Sequence, residues 1–183
     1  MKYVNSYAKL ADFGRDMLKQ RSLEQGLPMI AGYVKGVIGA DRCSIYIYDK
    51  VNDTLWTTLS DEIEKVVISA DTGIAGATIK ERKPLIVNAP YKDPRFHADV
   101  DKQTGYITKN IASVPVFNSG RELIGVLQLL NKEADQGELS SSQERDHLGG
   151  FDREDTRFMV FFAHYVSGYL ELASLFNGDK LKH

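Results

Sequence analysis

The sequence predicts an α+β domain in which an antiparallel sheet lies between helices at the two ends of the chain. Segments with strand periodicity follow one another as hairpins in the middle of the sequence, whereas the clearest helical patterns lie before residue 40 and after residue 151. Hairpin connections between neighbouring strands are typical of the α+β class and not of a parallel βαβ fold. The 183 residues are enough to bury a substantial core within one domain.

Two helices are expected within residues 1–40, a unit that we expect to pack on the sheet. Residues 5–20 have a loose apolar stripe of helical period, and residues 23–38 have a clearer one. Ser22 is the predicted N-cap of the second helix, and Pro28 lies inside its pattern, where it weakens or bends the first part.

Alternation of apolar and polar residues predicts the strands. RCSIYIYD (42–49) alternates strictly, and TLWTTLS returns after the turn at 51–53, so that the two form a hairpin. EKVVIS (64–69) is a third strand, and LIVN is a brief extended piece. IASVPVF and ELIGVLQLLN form another strand pair, joined by the turn residues NSGR.

The segment ADTGIAGATIKERKP (70–84) predicts a short helix after the third strand. Asp71 or Thr72 is its expected cap, and the helix should end before Pro84, because the residue preceding a proline disfavours helical geometry. Residues 89–110 follow as a polar segment with two prolines, which we interpret as a loop.

The last part of the chain predicts an insertion and a long helix. Residues 133–150 have few apolar side chains and end in Gly-Gly, which is typical of a flexible insertion. Residues 152–176 carry a broad apolar face of helical period, and residues 177–183 form a polar tail.

Composition excludes several classes of function. The net charge is −2, from 23 basic and 25 acidic residues, so no basic surplus indicates nucleic-acid or membrane-surface binding. The sequence has no long apolar run that could be a signal peptide or a membrane span. A single cysteine, Cys43, allows neither an internal disulfide nor a cysteine cluster for metal. We therefore expect a cytoplasmic protein without metal or cofactor.

Four stretches carry a family resemblance: ADRCSIYIYD, ADTGIAGATIKERKPLIV, DPRFHADVDKQTGYITKNIASVPV and ELIGVLQLLNK. A spaced signature accompanies them, in which Asn-Lys is followed after a gap by Phe, three residues and Asp-Glu. It reads here as Asn131, Lys132, Phe151 and Asp155, with Thr156 in place of the Glu. In these features the chain resembles the GAF domains, and within them the cyclic-nucleotide-binding GAF domains of phosphodiesterases and adenylyl cyclases.

The resemblance implies a six-stranded antiparallel sheet with the terminal helices on one face and a ligand pocket on the other. The GAF core, with its C-terminal helix, would span residues 41–176, and the short helix and the 89–110 segment would wall the pocket. In the family the Lys and Asp of the signature form a salt bridge near the pocket. Lys132 and Asp155, with Asn131 and Phe151, are thus expected to form a structural lock and not to contact ligand.

The resemblance also implies a set of ligand contacts. Backbone N–H groups at a helix N-terminus favour a phosphate, and in the family the amides that match Ile74 and Ala75 hold it. Ser44 resembles a strand serine that touches the base, and His97 stands where a tyrosine commonly approaches the phosphate. Thr104, Thr108 and Asp101 match polar residues of a lid. The alternative for the lid residues is an ordinary polar surface loop.

The ligand identity rests on a difference from the family. Where cGMP-binding members have an aromatic residue followed by Asp, this chain has Leu59 and Ser60. We therefore expect cAMP to be favoured over cGMP, with a different ligand left open.

Two other classes of function compete with ligand sensing. The first is an interaction module with a degenerate pocket that forms a homodimer through its terminal helices and passes signals to an output domain. The second is an enzyme, which we do not expect, because one cysteine cannot supply both a nucleophile and a resolving thiol and no catalytic constellation is evident.

Overall fold

The computed structural model describes residues 3, 10–17, 19, 23–57, 66–133 and 149–176. The helices are α1 (Leu10–Met17), α2 (Leu23–Ile38), α3 (Gly73–Glu81), α4 (Asp99–Thr104) and α5 (Arg153–Phe176), and one 3-10 turn spans Pro90–Lys92. The strands are β1 (Ala40–Asp49), β2 (Thr54–Thr57), β3 (Val66–Ser69), β4 (Leu85–Val87), β5 (Ile111–Phe117) and β6 (Leu123–Lys132).

The six strands form one antiparallel sheet in the order β3-β2-β1-β6-β5-β4. The long strands β1 and β6 pair at its centre, and their register places Ser44 opposite Gln128. Gln128 in turn lies opposite Ser113 of β5. The predicted α+β class and six-stranded antiparallel sheet are confirmed.

The two faces of the sheet are covered by different helices. Because successive side chains of a strand point to opposite faces, Cys43, Ile45 and Ile47 of β1 lie on one face, where they belong to the main core with α2 and α5. Tyr46 and Tyr48 lie on the other face, in an apolar cluster that includes residues of α3. We call these the terminal-helix face and the α3 face.

Helices α2 and α5 pack closely at one glycine. A Cβ atom added at Gly26 of α2 would lie 2.0 Å from Cζ of Tyr169 on α5. The tyrosine ring therefore lies directly against the backbone of α2. This contact fixes the two terminal helices to each other above the sheet.

The described residues test only some of the predicted boundaries. The first helix runs over Leu10–Met17 among the described residues, and Ser22 lies outside them. Thr72 is the N-cap residue of α3, without a side-chain capping bond. Most of the predicted insertion and the polar tail also lie outside the described residues, so the domain limits remain predictions.

The interpretation of residues 89–110 as a loop was wrong in part. The segment contains the 3-10 turn and the six-residue helix α4, which ends at Gly105 with a φ of 71°. A left-handed glycine is a common helix terminus. The polar sequence of α4 has no apolar stripe, and so its periodicity does not predict a helix.

Candidate ligand-binding site

A row of polar side chains crosses the centre of the sheet on the α3 face. It consists of Ser44, Gln128 and Ser113, one from each of three adjacent strands. Ser113 is fully buried, and its hydroxyl lies 2.7 Å from that of Thr78 on α3, to which it is hydrogen-bonded. Thr78 also donates to the carbonyl of Ile74 at 2.8 Å. The hydroxyl of Ser113, at one end of the row, thus has a hydrogen-bond partner on α3.

Gln128, in the middle of the row, has no such partner. Only 8% of the residue is exposed, and among the described residues its side-chain amide makes no hydrogen bond. A buried polar group without a partner costs about 1–3 kcal/mol, and such groups in native proteins point to a bound water or ligand. Gln128 is not among the site residues predicted from the sequence. In the sequence, Gln128 stands out only as the single polar side chain within the apolar run at 123–130.

The first turn of α3 lies over this part of β6. Ala75 shares an apolar cluster with Val126, and Ile74 shares another with Leu130. These two β6 residues flank Gln128 on the same face. The side chains of Ile74 and Ala75 are therefore buried anchors, while their N–H groups belong to the first helical turn, where a helix offers no internal acceptors.

A close turn precedes α3. A Cβ atom at Gly76 would lie 2.7 Å from the carbonyl oxygen of Ala70. The backbone of the turn before the helix therefore packs against the backbone of Gly76. The N–H of Gly76 donates to the carbonyl of Thr72 at 3.0 Å. The N-terminus of α3 is held in one position by these contacts.

His97 and Asp71 lie near this N-terminus. Hydrogen bonds from Ser69 and Thr72, and to a smaller extent the charge of His97, lower the pKa of Asp71. Both Asp71 and His97 are exposed. The structure therefore places His97 within electrostatic range of Asp71, on the solvent side of the N-terminus of α3.

Asp101 and Thr108 of the 89–110 segment bind each other. Asp101 accepts from the backbone N–H of Thr108 at 2.7 Å and from its hydroxyl at 2.9 Å, and it also accepts from Tyr91 Oη at 2.6 Å. Both residues are buried. In this arrangement they shape the segment, so direct contact with a ligand would require some of these bonds to be exchanged.

Thr104 and Tyr106 lie farther out. Thr104 is the exposed last residue of α4, and its hydroxyl oxygen accepts from the N–H of Tyr106 at 3.3 Å. Tyr106 donates to Asp41 at 2.8 Å and stacks under the guanidinium of Arg42 at 3.7 Å. Burial, and then the bond to Asp41, raises the pKa of Tyr106. Tyr106 thus ties the segment to the start of β1.

The signature residues form a buried ion pair beside the sheet. Lys132 Nζ lies 2.7 Å from Asp155 Oδ2, and the two side chains are 6% and 0% exposed. Asp155 also caps α5 reciprocally with Asp152, each backbone N–H donating to the other carboxylate at 2.8–2.9 Å. Phe151 is buried and its backbone makes two hydrogen bonds with the amide of Asn88.

Asn131 and Asn110 connect this ion pair to the 89–110 segment. Asn131 has a left-handed φ of 54°, and its side chain accepts from Lys109 N at 2.6 Å and donates to Ile107 O at 2.8 Å. The Asn110 side chain bonds the backbone of Lys132 twice. Asn110 is not among the site residues predicted from the sequence, because a polar residue before a strand has no distinctive pattern.

A second ion-pair group joins the segment to α3. Arg95 lies 2.7 Å from both Glu81 and Asp93. Hydrogen bonds from Lys83 and Arg95 lower the pKa of Glu81, and the bond from Arg95 lowers that of Asp93. The 89–110 segment is therefore held at α3, at β1 and at β6.

The single cysteine of the chain, Cys43, is buried in the main core. Burial raises the pKa of Cys43 to about 12, so its thiol is not ionised at neutral pH. No group of three or more His, Cys, Asp or Glu residues in the described part of the chain is placed to hold a metal ion. Nor does any helix there have the length and apolar character to cross a membrane.

Comparison with protein families gives one match. The sequence model described as GAF domain matches residues 22–170. Among curated proteins, the chain is 29% identical over 175 residues to a probable 3',5'-cyclic phosphodiesterase, pde-5, of Caenorhabditis elegans, covering 88% of this chain and 22% of that protein. It is 34% identical over 93 residues to a cGMP-specific 3',5'-cyclic phosphodiesterase of Drosophila mojavensis, covering 48% of this chain and 8% of that protein.

Solved structures share the fold at lower identity. The GAF domain of a phosphoenolpyruvate-protein phosphotransferase from Coxiella burnetii superposes with a TM-score of 0.73 at 18% identity, over 92% of this chain and 94% of that one. Free methionine-R-sulfoxide reductase from Neisseria meningitidis superposes with a TM-score of 0.69 at 18% identity, over 91% and 88%. These likenesses show the architecture alone. The chain spans about a fifth or less of the length of the two phosphodiesterases.

Proposed function

This chain belongs to the GAF domain family, and from that premise we propose that it is a regulatory module that binds a small anionic ligand between α3 and the sheet. The observation that carries the proposal is Gln128, whose buried amide lacks a partner among the described residues. A ligand that donates to and accepts from this amide would remove the cost of its burial.

A cyclic nucleotide fits the chemistry of the site. Its single negative phosphate suits the N–H groups of Ile74 and Ala75 at the N-terminus of α3. The amide of Gln128 and the hydroxyl of Ser44 both donate and accept, which suits the mixed donors and acceptors of a purine or ribose. His97 would approach the phosphate from the mouth of the site, and Thr104 would lie at its rim.

The two phosphodiesterase relatives support a cyclic nucleotide as the ligand class. They do not support a preference for cAMP, since one of them is by name cGMP-specific. Leu59 and Ser60, on which that preference rests, lie outside the described residues. The affinities for cAMP and cGMP therefore have to be measured side by side.

Isothermal titration of the purified domain with cAMP, cGMP and AMP tests the proposal. In Gln128→Met the side chain keeps its length and loses its hydrogen bonds. We expect affinity for the bound cyclic nucleotide to fall about tenfold or more, and the ligand-free domain to gain about 1 kcal/mol in its free energy of unfolding.

Gln25→Met on the exposed surface of α2 is the matched control and should change neither quantity. Absence of binding by all three nucleotides would contradict a cyclic-nucleotide site. Unchanged binding by Gln128→Met would remove the residue from the site.

A homodimer through the terminal helices is the second candidate function, and it is compatible with the first. Phe161 and Leu172 of α5 are 40% and 41% exposed. Tyr165 and Gly168 lie between them at steps of four and three residues, so the four positions form one stripe along the helix. In such a dimer, ligand would bias the arrangement of α5 and thereby act on an output domain.

A further inference from the structure

Tyr3 lies outside residues 22–170, which match the family, yet it is built into the core. Only 6% of it is exposed, and its ring stacks on Phe158 of α5 with centroids 4.5 Å apart. Its hydroxyl donates to Oδ1 of Asp155. The other oxygen of Asp155 accepts from Lys132 and from the N–H of Asp152. Tyr3 therefore supplies a donor to the oxygen that the signature lysine does not reach.

The burial of the ion pair makes this donor important. A buried ion pair stabilises a fold only when the remaining lone pairs of its carboxylate are also satisfied. Asp155 is fully buried, so water cannot replace the hydroxyl. Loss of the tyrosine hydroxyl would remove a charge-assisted hydrogen bond from the carboxylate of Asp155 and weaken the geometry of the pair.

Hydrogen bonds lead from this pair to residues 107–110 of the 89–110 segment. The backbone of Lys132 is bonded twice to the side chain of Asn110. The neighbouring Asn131 accepts from the N–H groups of Lys109 and Asn110 at 2.6 and 3.4 Å. The N–H groups of Lys109 and Asn110 are thus held by a side chain of the strand that carries Lys132.

We propose that Tyr3 is a positioning residue of the binding site, and that its hydrogen bond to Asp155 controls the order of residues 107–110. In its effect on ligand affinity, this inference rests on the proposed function. Displacement of Tyr3 from α5 loosens the ion pair, frees the amides of Lys109 and Asn110 and lowers affinity for the ligand.

The test is amide hydrogen exchange of the ligand-free domain, because it does not depend on which ligand binds. Tyr3→Phe keeps the ring on Phe158 and removes the hydroxyl. We expect the Lys109 and Asn110 amides to exchange about tenfold faster than in the wild type. Tyr48→Phe is the matched control, because it removes a tyrosine hydroxyl bonded to an aspartate, Asp53, at 2.8 Å in the exposed β1–β2 hairpin.

Two further variants separate positioning from packing. If Tyr3 acts through the ion pair, Tyr3→Phe should add little in a Lys132→Met background, since the two effects are coupled. Exchange at 107–110 that matches the Tyr48→Phe control, with faster exchange confined to the first turn of α5 or found nowhere, would overturn the proposal. Tyr3→Ala removes the ring as well as the hydroxyl and so measures the contribution of packing. If Tyr3→Ala unfolds the domain, the exchange rates of Tyr3→Phe still test the proposal.

Titration then connects the inference to the ligand. Affinity of Tyr3→Phe for the bound cyclic nucleotide should fall about threefold to tenfold, while Tyr48→Phe should match the wild type. If the wild-type domain binds no nucleotide, the proposed function fails, and the exchange result still supports or overturns the role of Tyr3.

Discussion

Gln128 and Asp101 show how a single residue's role depends on its partners. Both are buried polar residues near the site, but Asp101 is bonded to Tyr91 and Thr108, whereas Gln128 has no partner in the described part of the chain. Strand alternation correctly predicted that Ser44 faces away from Cys43. It could not show that Gln128 lacks a partner, because hydrogen bonding depends on neighbours that are distant in sequence.

Cys43 gives a prediction about pH. Burial raises its pKa from 9.0 to about 12, so the unfolded chain loses the thiol proton at a lower pH than the folded one. The stability linked to this thiol is fully present below pH 9 and is lost as pH rises toward 12. Between about pH 8 and about pH 10.5, we expect the wild type to lose about 2 kcal/mol more unfolding free energy than Cys43→Ala.

Denaturant unfolding at the two pH values measures this difference, and the comparison with Cys43→Ala cancels the titration of tyrosines and lysines. Equal losses in the two proteins would show that the thiol is accessible to water. A thiol reagent should modify Cys43 only after unfolding.

At the scale of elements, the sequence predicted the types of the long helices and strands and missed the short polar ones. β1 and α5 have strong periodicity because one face of each is buried in the main core. β6 is instead a nearly continuous apolar run, because both of its faces are covered. Helix α4 has no such face and depends on tertiary contacts, including the Asp101–Thr108 bonds. For this reason the sequence of residues 89–110 predicted a loop.

Alanine substitutions at two glycines of α2 test its packing against α5. Gly26→Ala places a methyl group against the Tyr169 ring, and we expect it to lower the free energy of unfolding by about 1–3 kcal/mol. At Gly32, where nothing lies within 4 Å of an added Cβ, the same change should stabilise the helix by about 0.5–1 kcal/mol. Thermal unfolding of both variants measures this, and effects of the same sign would contradict the packing of α2 on α5.

For the whole molecule, the family resemblance predicted that the terminal helices cover one face of the sheet and the short helix the other. The terminal helices cover one face and α3 covers the other. The sequence could not show how the 89–110 segment is joined to α5. That connection passes through Asn110, Asn131, Lys132 and Asp155, which meet only in the folded chain.

The proposed dimer is tested at the same scale. Phe161→Glu places a charge in the exposed stripe of α5, and we expect it to convert a dimeric wild type to a monomer in sedimentation experiments over a range of protein concentrations. Val51→Glu is the matched control, because Val51 is 93% exposed at the tip of the β1–β2 hairpin. A wild type that is monomeric throughout, or a Phe161→Glu variant that remains dimeric, would contradict an interface on this stripe.

The most direct test of ligand binding between α3 and the sheet is an NMR titration of the isotopically labelled domain with cAMP and cGMP. The backbone amides of Ile74 and Ala75 and the side-chain amide of Gln128 should shift together with one saturation curve, and the Gln25 side chain should not shift. Shifts confined to other surfaces, or no shift with either nucleotide, would contradict a cyclic-nucleotide site at this position.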